Sequence, residues 1–96
     1  MRYFHRTSLS PEQVLVVARS FFGGRLAPWE EAPRRLGYSG AIGKVTLSVR
    51  AEGGHYTFIE VQTDQMGESE LDRLAKRFLA EVHQRVEPAH ELRGAY

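Results

Sequence analysis

The chain contains no cysteine, which excludes disulfide bonds and thiolate-ligated metal sites. It also contains no asparagine, and eleven of its 13 basic residues are arginine, a bias that favours a GC-rich bacterial genome. Its longest apolar stretch, residues 14–18, is far shorter than the roughly 20 residues that a membrane-spanning helix needs. No apolar run of signal-peptide length follows the charged N-terminal residues. We therefore expect a soluble, cytoplasmic protein that does not enter a membrane.

The charges are almost balanced, with 13 basic and 12 acidic residues and a net charge of +1. Such a balance creates no global field that would attract nucleic acid, so we predict no nucleic-acid partner. A chain of 96 residues has the size of one domain. We predict a single domain over residues 1–96, in which residues 88–96 form a C-terminal tail.

The segment that begins at Ser10 predicts a first helix. Ser10 is placed as an N-cap, Pro11 occupies the first helical position, and Gln13 can complete a capping box. The apolar residues that follow recur at helical spacing as far as residue 22. Gly23 and Gly24 are predicted to end the helix, because glycine readily adopts the left-handed conformation of a C-cap.

A second amphipathic helix is predicted from Ser69, which with Asp72 three positions later resembles a capping box. An apolar stripe then recurs at helical spacing, and basic and acidic residues fill much of the remaining surface. Pro88 is predicted to end this helix. The stripe consists of Leu71, Leu74, Phe78, Val82 and Val86.

Between the helices the apolar pattern changes to the alternation of strands. Residues 44–50 alternate strictly, and residues 55–63 are rich in aromatic and β-branched side chains, so the two runs predict a hairpin around Gly53-Gly54. Further strands are predicted at residues 3–7 and 35–39, and residues 25–34 as a loop with room for one helical turn at Pro28. The fold class is thus α+β: a two-layer domain of order β-α-β-β-β-α, with an antiparallel sheet and two amphipathic helices on one of its faces.

Two registers of the hairpin are compatible with this pattern. A two-residue turn places Glu60 on the buried face beside Leu47, whereas a three-residue loop with a bulge pairs Ala51 with His55 and Leu47 with Ile59. The second register is favoured because it fills the core with Ile59 and Val61. Tyr56 and Phe58 then lie on the outer face, where exposed apolar groups usually mark an interface or a ligand surface.

Candidates for chemistry are few. Glu60 is a candidate general acid or base if it is buried, with His55 as a second weak candidate. His83 and Glu87 are one helical turn apart, but the spacing supplies no third ligand, so neither a metal nor a cofactor is predicted. His5 and His55 could approach each other across the sheet. Arg25, Arg34 and Arg35 form a small basic spot that would suit one anionic group.

The sequence GKVTLSVRAEGGHYTFIEV, followed by LDRLAKRFLAEV, resembles the C-terminal part of helix-grip proteins, the polyketide-cyclase and START-like superfamily. The resemblance covers residues 43–87. It implies a long C-terminal helix that closes over an apolar cavity, and therefore a small apolar ligand. The superfamily contains transporters, ligand sensors and cyclases, so the resemblance alone implies no particular activity.

Three functions from different classes follow as hypotheses. The first is a non-enzymatic homodimer or other homo-oligomer that associates through its sheet, by Tyr56 and Phe58 or by the sheet edge. The second is a module for a small apolar ligand held between the second helix and the sheet, with Trp29 on a lid loop and Tyr38 nearby. The third is an acid–base enzyme that uses Glu60 and a histidine, which requires Glu60 to face inward.

Overall fold

The computed structural model describes residues 1–94, with side chains up to residue 86. Five antiparallel strands form one sheet in the order β1-β5-β4-β3-β2, and two helices complete an α+β fold, as predicted. The elements are β1 (Arg2–Thr7), α1 (Pro11–Gly23), β2 (Ala27–Ala32), β3 (Arg35–Gly40), β4 (Gly43–Glu52), β5 (Tyr56–Thr63) and α2 (Glu70–Gly94).

Helix α1 begins with the predicted capping box. Ser10 Oγ accepts a hydrogen bond from the backbone N–H of Gln13 at 3.2 Å, and Gln13 Oε1 accepts from the backbone N–H of Ser10 at 2.8 Å. The helix ends at Gly23, as predicted. The C-cap residue Gly24 has φ −81°, which is right-handed, so the predicted left-handed C-cap is wrong.

Helix α2 begins after Ser69, whose Oγ accepts a hydrogen bond from the backbone N–H of Asp72 at 3.0 Å. The helix continues to Gly94, so the prediction that Pro88 ends it is wrong. An internal proline removes one backbone hydrogen bond and bends a helix, but it does not always stop the helix. The predicted tail over residues 88–96 includes residues 95–96, which lie outside the described residues.

One apolar core lies between the helices and the inner face of the sheet. The ring of Phe22 is at its centre, with centroid distances of 5.1 Å to Phe78 and 5.7 Å to Tyr38. Tyr38, predicted as a ligand or interface residue, is only 3% exposed and packs in this core. Side chains in the core that are fully buried include Val14, Leu36, Leu47, Ile59, Val61, Leu71 and Val82.

The prediction of a loop over residues 25–34 is also wrong, because β2 occupies most of this segment. β2 is an edge strand that pairs only with β3, and an edge strand tolerates the missing N–H of Pro28. The register shifts between Pro28 and Glu30, which leaves Trp29 in a bulge. Because of this bulge and the proline, β2 lacks the alternation of apolar and polar residues that predicts the other strands.

The β4–β5 hairpin adopts neither predicted register. Glu52 pairs with Tyr56 and Val49 with Ile59, so the loop is Gly53, Gly54 and His55. Both glycines of this loop have positive φ, 66° and 76°. The pairing is displaced by two positions from the favoured register, and a displacement of two leaves every side chain on its predicted face.

Candidate interface on the open face of the sheet

The two helices pack on one face of the sheet, and we call the other the open face. Because side chains alternate along a strand, every second residue of β1, β4 and β5 projects from it. Its side chains include Arg2, Phe4 and Arg6 of β1, Lys44, Thr46, Ser48, Arg50 and Glu52 of β4, and Tyr56, Phe58, Glu60 and Gln62 of β5. The open face therefore combines aromatic groups with charges of both signs.

An aromatic cluster of Phe4, Tyr56 and Phe58 lies at one end of the open face. The rings of Phe4 and Phe58 stack across β1 and β5 with their centroids 5.6 Å apart and their planes at 26°. Phe4 is 55% exposed and Tyr56 is 56% exposed. The prediction that Tyr56 and Phe58 lie on the outer face is confirmed.

Two arginines hold the ring of Phe58 between them. The guanidinium carbon of Arg50 lies 4.5 Å from the ring centroid and that of Arg6 lies 5.1 Å from it, both within cation–π range. Glu52 binds both arginines, through a hydrogen bond from Nε of Arg6 and an ion pair with Arg50 at 3.8 Å. The hydrogen bond from Arg6 is the main reason that the pKa of Glu52 lies below its ordinary value. The aromatic cluster is thus framed by ion-paired charges.

Glu60 projects from the open face and does not point into the core. It lies opposite Ser48, and its carboxylate is 3.5 Å from Nε of Arg2. The acid–base hypothesis required Glu60 on the inner face beside Leu47, and this condition is not met. The recess around Glu60 has a volume of about 50 Å³, room for only one or two water molecules.

His55, the other weak catalytic candidate, is exposed in the hairpin loop. It is five positions from Glu60 along an extended chain, about 17 Å at the rise of a strand. The structure therefore does not bring the two candidates together.

Trp29 also lies on the open face, at the opposite end from the aromatic cluster. Gly37 lies between the buried residues Leu36 and Tyr38 on β3 and therefore faces the open side. It leaves room for the ring of Trp29, because a Cβ added to Gly37 would lie 2.8 Å from Cε2 of Trp29. The indole Nε1 donates a hydrogen bond to the carbonyl of Tyr38 at 3.2 Å, and Nζ of Lys44 is 5.4 Å from the ring centroid. The prediction of Trp29 on a lid between α2 and the sheet is therefore wrong.

His5 lies on the inner side of β1 and approaches His83 of α2, with 6.2 Å between the ring centroids. The predicted approach of His5 to His55 does not occur, because His5 lies opposite Ile59 and His55 lies in the loop before β5. Within the described part of the chain, no three histidine or carboxylate side chains are grouped as metal ligands. The side chain of Glu87, the predicted neighbour of His83, lies outside the described residues.

Sequence reasoning missed Phe4 and the two arginines beside Phe58. The signal was present in β1, where Arg2, Phe4 and Arg6 alternate with Tyr3, His5 and Thr7, so that both faces carry an aromatic group. Identifying Phe4 as a partner of Phe58 also requires the pairing of β1 with β5, which a sequence pattern does not specify.

No helix within the described residues is long and apolar enough to cross a membrane. Comparison of the chain with protein-family models, with curated proteins and with solved structures finds no match. A function is therefore inferred from the geometry of the described residues alone.

Proposed function

We propose that the protein is a non-enzymatic homodimer whose two copies associate through their open faces, with the aromatic cluster as the main apolar contact. The observation that carries this proposal is the stacking of Phe4 on Phe58 at a solvent-exposed site. Burial of apolar surface is the main favourable contribution to association, and aromatic and arginine side chains are enriched among the residues that dominate binding.

The charges of the open face favour a second copy of the chain as the partner. Arg2, Arg6 and Arg50 lie among Glu52 and Glu60 in the same patch. In a twofold-symmetric interface the same patch meets itself, so a surface that carries both signs can place each arginine near a carboxylate of the other copy. A polyanion such as nucleic acid would instead be repelled by Glu52 and Glu60, which lie beside these arginines.

The area of the open face sets the expected affinity of the dimer. Five strands spaced by about 4.8 Å, with about seven residues each on average, present a face of roughly 24 by 24 Å, or about 600 Å² per copy. Stable interfaces usually bury about 800 Å² per partner, so this area lies at the lower end. We therefore expect a reversible dimer with a dissociation constant in the micromolar range.

Sedimentation velocity over a range of micromolar concentrations tests this proposal. The wild-type protein should change from monomer to dimer as its concentration rises, and the variant with Phe4→Ser and Phe58→Ser should remain monomeric. Val16→Ser is a matched control, because Val16 is also apolar and exposed but lies on α1. A wild-type protein that stays monomeric at high micromolar concentration, or a Val16→Ser variant that loses the dimer equally, would contradict the proposal.

A further inference from the structure

A cleft of about 560 Å³ opens on the helix side of the domain, away from the open face. It lies where the first two turns of α2 meet the β3–β4 turn and the segment that connects α1 to β2. Its volume is within the range of sites that hold small organic molecules. Its walls are formed by Arg25, Leu26, Gly40, Ala41, Ile42, Glu70, Arg73, Leu74 and Arg77.

Three arginines line this cleft, and they differ from the other arginines of residues 1–86. Seven arginines with described side chains have a carboxylate within 4 Å: Arg2, Arg6, Arg19, Arg34, Arg35, Arg50 and Arg85. Among residues 1–86, the arginines without such a partner are Arg25, Arg73 and Arg77, and all three line the cleft. Within this part of the chain, the guanidinium groups that have no carboxylate neighbour are therefore concentrated at one place.

The guanidinium group of Arg25 is held by contacts with Phe21. Its Nη1 donates a hydrogen bond to the carbonyl of Phe21 at 2.7 Å, and its guanidinium carbon lies 4.1 Å from the centroid of the Phe21 ring. Arg73 and Arg77 are one turn apart on α2, so their side chains leave the same face of the helix. A guanidinium fork can bind a carboxylate, sulfonate or phosphate through two hydrogen bonds.

The remainder of the cleft is mainly apolar. Leu26 and Ile42 are half-buried and pack against the core, and Leu74 is buried. Glu70 contributes one negative charge, so three arginines and one glutamate leave the cleft with a net charge of +2 (3 − 1). The combination suits a ligand with an apolar body and an anionic group.

We propose that this cleft is a binding site for a small amphipathic anion, an apolar group that carries a phosphate, sulfonate or carboxylate. The anionic group contacts Arg73 and Arg77, with Arg25 as a fixed third donor, and the apolar body contacts Leu26 and Ile42. This site is independent of the dimer interface, because the two occupy opposite faces of the sheet.

The probe for this site is anilinonaphthalene sulfonate, an aromatic anion whose fluorescence rises when it binds. Its affinity for the folded protein should fall by about a hundredfold in the variant with Arg73→Gln and Arg77→Gln, about tenfold for each charge-assisted contact removed. The matched control is the variant with Arg19→Gln and Arg34→Gln, which removes the same charge from exposed positions outside the cleft and should keep wild-type affinity. The uncharged N-phenylnaphthylamine should bind more weakly than the sulfonate.

Amide chemical shifts in an NMR titration then show where the probe binds. The shifts should move at residues 40–43 and 73–77, and inorganic phosphate alone should move the same amides at higher concentration. Ala41→Glu, which adds a carboxylate at the exposed turn, should abolish these changes while the spectrum remains that of a folded protein. Equal affinity in the Arg73→Gln/Arg77→Gln variant, equal loss in the control, or shifts confined to the aromatic cluster would each overturn the proposal.

Discussion

The hydroxyl of Tyr3 donates a hydrogen bond of 2.9 Å to Oδ1 of Asp72, which joins the first strand to the first turn of the last helix. Thr63 donates to the same oxygen at 2.8 Å, and Ser69 donates to Oδ2. The carboxylate is fully buried, but three donors satisfy it. It therefore ties β1, β5 and α2 together at one point.

Replacement of Tyr3 by phenylalanine should lower the free energy of unfolding by about 1–2 kcal/mol. The change removes one hydrogen bond to a charged group, and such bonds contribute about 1.5–3 kcal/mol, but two donors to Asp72 remain. Urea denaturation at neutral pH and low protein concentration measures the change. Tyr56→Phe removes a hydroxyl from an exposed tyrosine and should change stability by less than about 0.5 kcal/mol. Equal effects of the two substitutions would show that the buried bond contributes nothing.

Asp72 should also make stability depend on pH in the acid range. Burial alone would raise the pKa of Asp72, but hydrogen bonds from Ser69, Thr63 and Tyr3 outweigh burial, and the pKa lies below its usual value. The ionised carboxylate therefore stabilises the folded state above the unfolded pKa of about 3.9, and this contribution is lost as the pH falls through the lower folded pKa. Asp72→Asn should be less stable than wild type at neutral pH, and the difference should shrink in acid. A difference that stays constant in urea titrations from neutral pH to about pH 3 would contradict this assignment.

His5 should cause a second pH dependence, nearer to neutrality. Burial, and next the charge of His83, lower the pKa of His5 in the folded protein. The unfolded chain, with a histidine pKa of about 6.5, therefore binds the proton more readily, so stability falls as the pH drops below about 6.5. His5→Phe should reduce the change in unfolding midpoint between about pH 7.5 and pH 5.5. His55→Gln, which removes a histidine from an exposed loop position, is the matched control, and equal changes in the two variants would contradict the assignment to His5.

Gly37→Ala should displace Trp29. The added Cβ would lie 2.8 Å from Cε2 of Trp29 and 3.0 Å from Cβ of Glu30, distances that force the ring to move. We expect a loss of about 1–3 kcal/mol, typical of overpacking, and a change in the emission maximum of the single tryptophan. An unchanged emission spectrum would indicate that the indole does not rest on Gly37 in solution.

Gly23→Ala should have the opposite effect and stabilise the protein by about 0.5–1 kcal/mol. Gly23 is the last residue of α1, its φ is not positive, and a Cβ there would meet no atom within 4 Å. Alanine restricts the unfolded chain and favours the helix at such a position. Gly43→Ala is the contrasting variant, because Gly43 has φ 126° and the new Cβ would lie 2.6 Å from Oδ1 of Asp64. Destabilisation by Gly23→Ala would mean that this end of α1 needs a glycine.

Patterns that span a few residues predicted the structure well. Ser10, Pro11 and Gln13 form a local cap, and the cap has the predicted hydrogen bonds. The inward positions of Ile59 and Val61 followed from the alternation of apolar residues, and they hold although the pairing with β4 is displaced by two positions. Local chemistry and periodicity carry this information because they do not depend on distant parts of the chain.

Features that depend on tertiary partners were not predicted. Tyrosine is common at interfaces, but Tyr38 packs against Phe22 in the core. Trp29 lies in a bulge of the edge strand β2, and hydrogen bonds to β3 hold both the strand and the indole in place. The paired arginines beside Phe58 and the unpaired arginines of the cleft look alike in the sequence, because only the fold brings carboxylates to some of them. The resemblance of residues 43–87 to helix-grip proteins stays a prediction.

The pairing of the first strand with the last has a consequence for the order of folding. Strands β2 to β5 follow one another as hairpins, so their contacts close short loops. β1 is different, since Thr7 pairs with Thr57, fifty positions later in the chain (57 − 7). Closing a longer loop costs more entropy, and contacts between distant residues slow folding. On a ribosome, β1 is synthesised before β5 and cannot pair in the sheet until β5 has emerged.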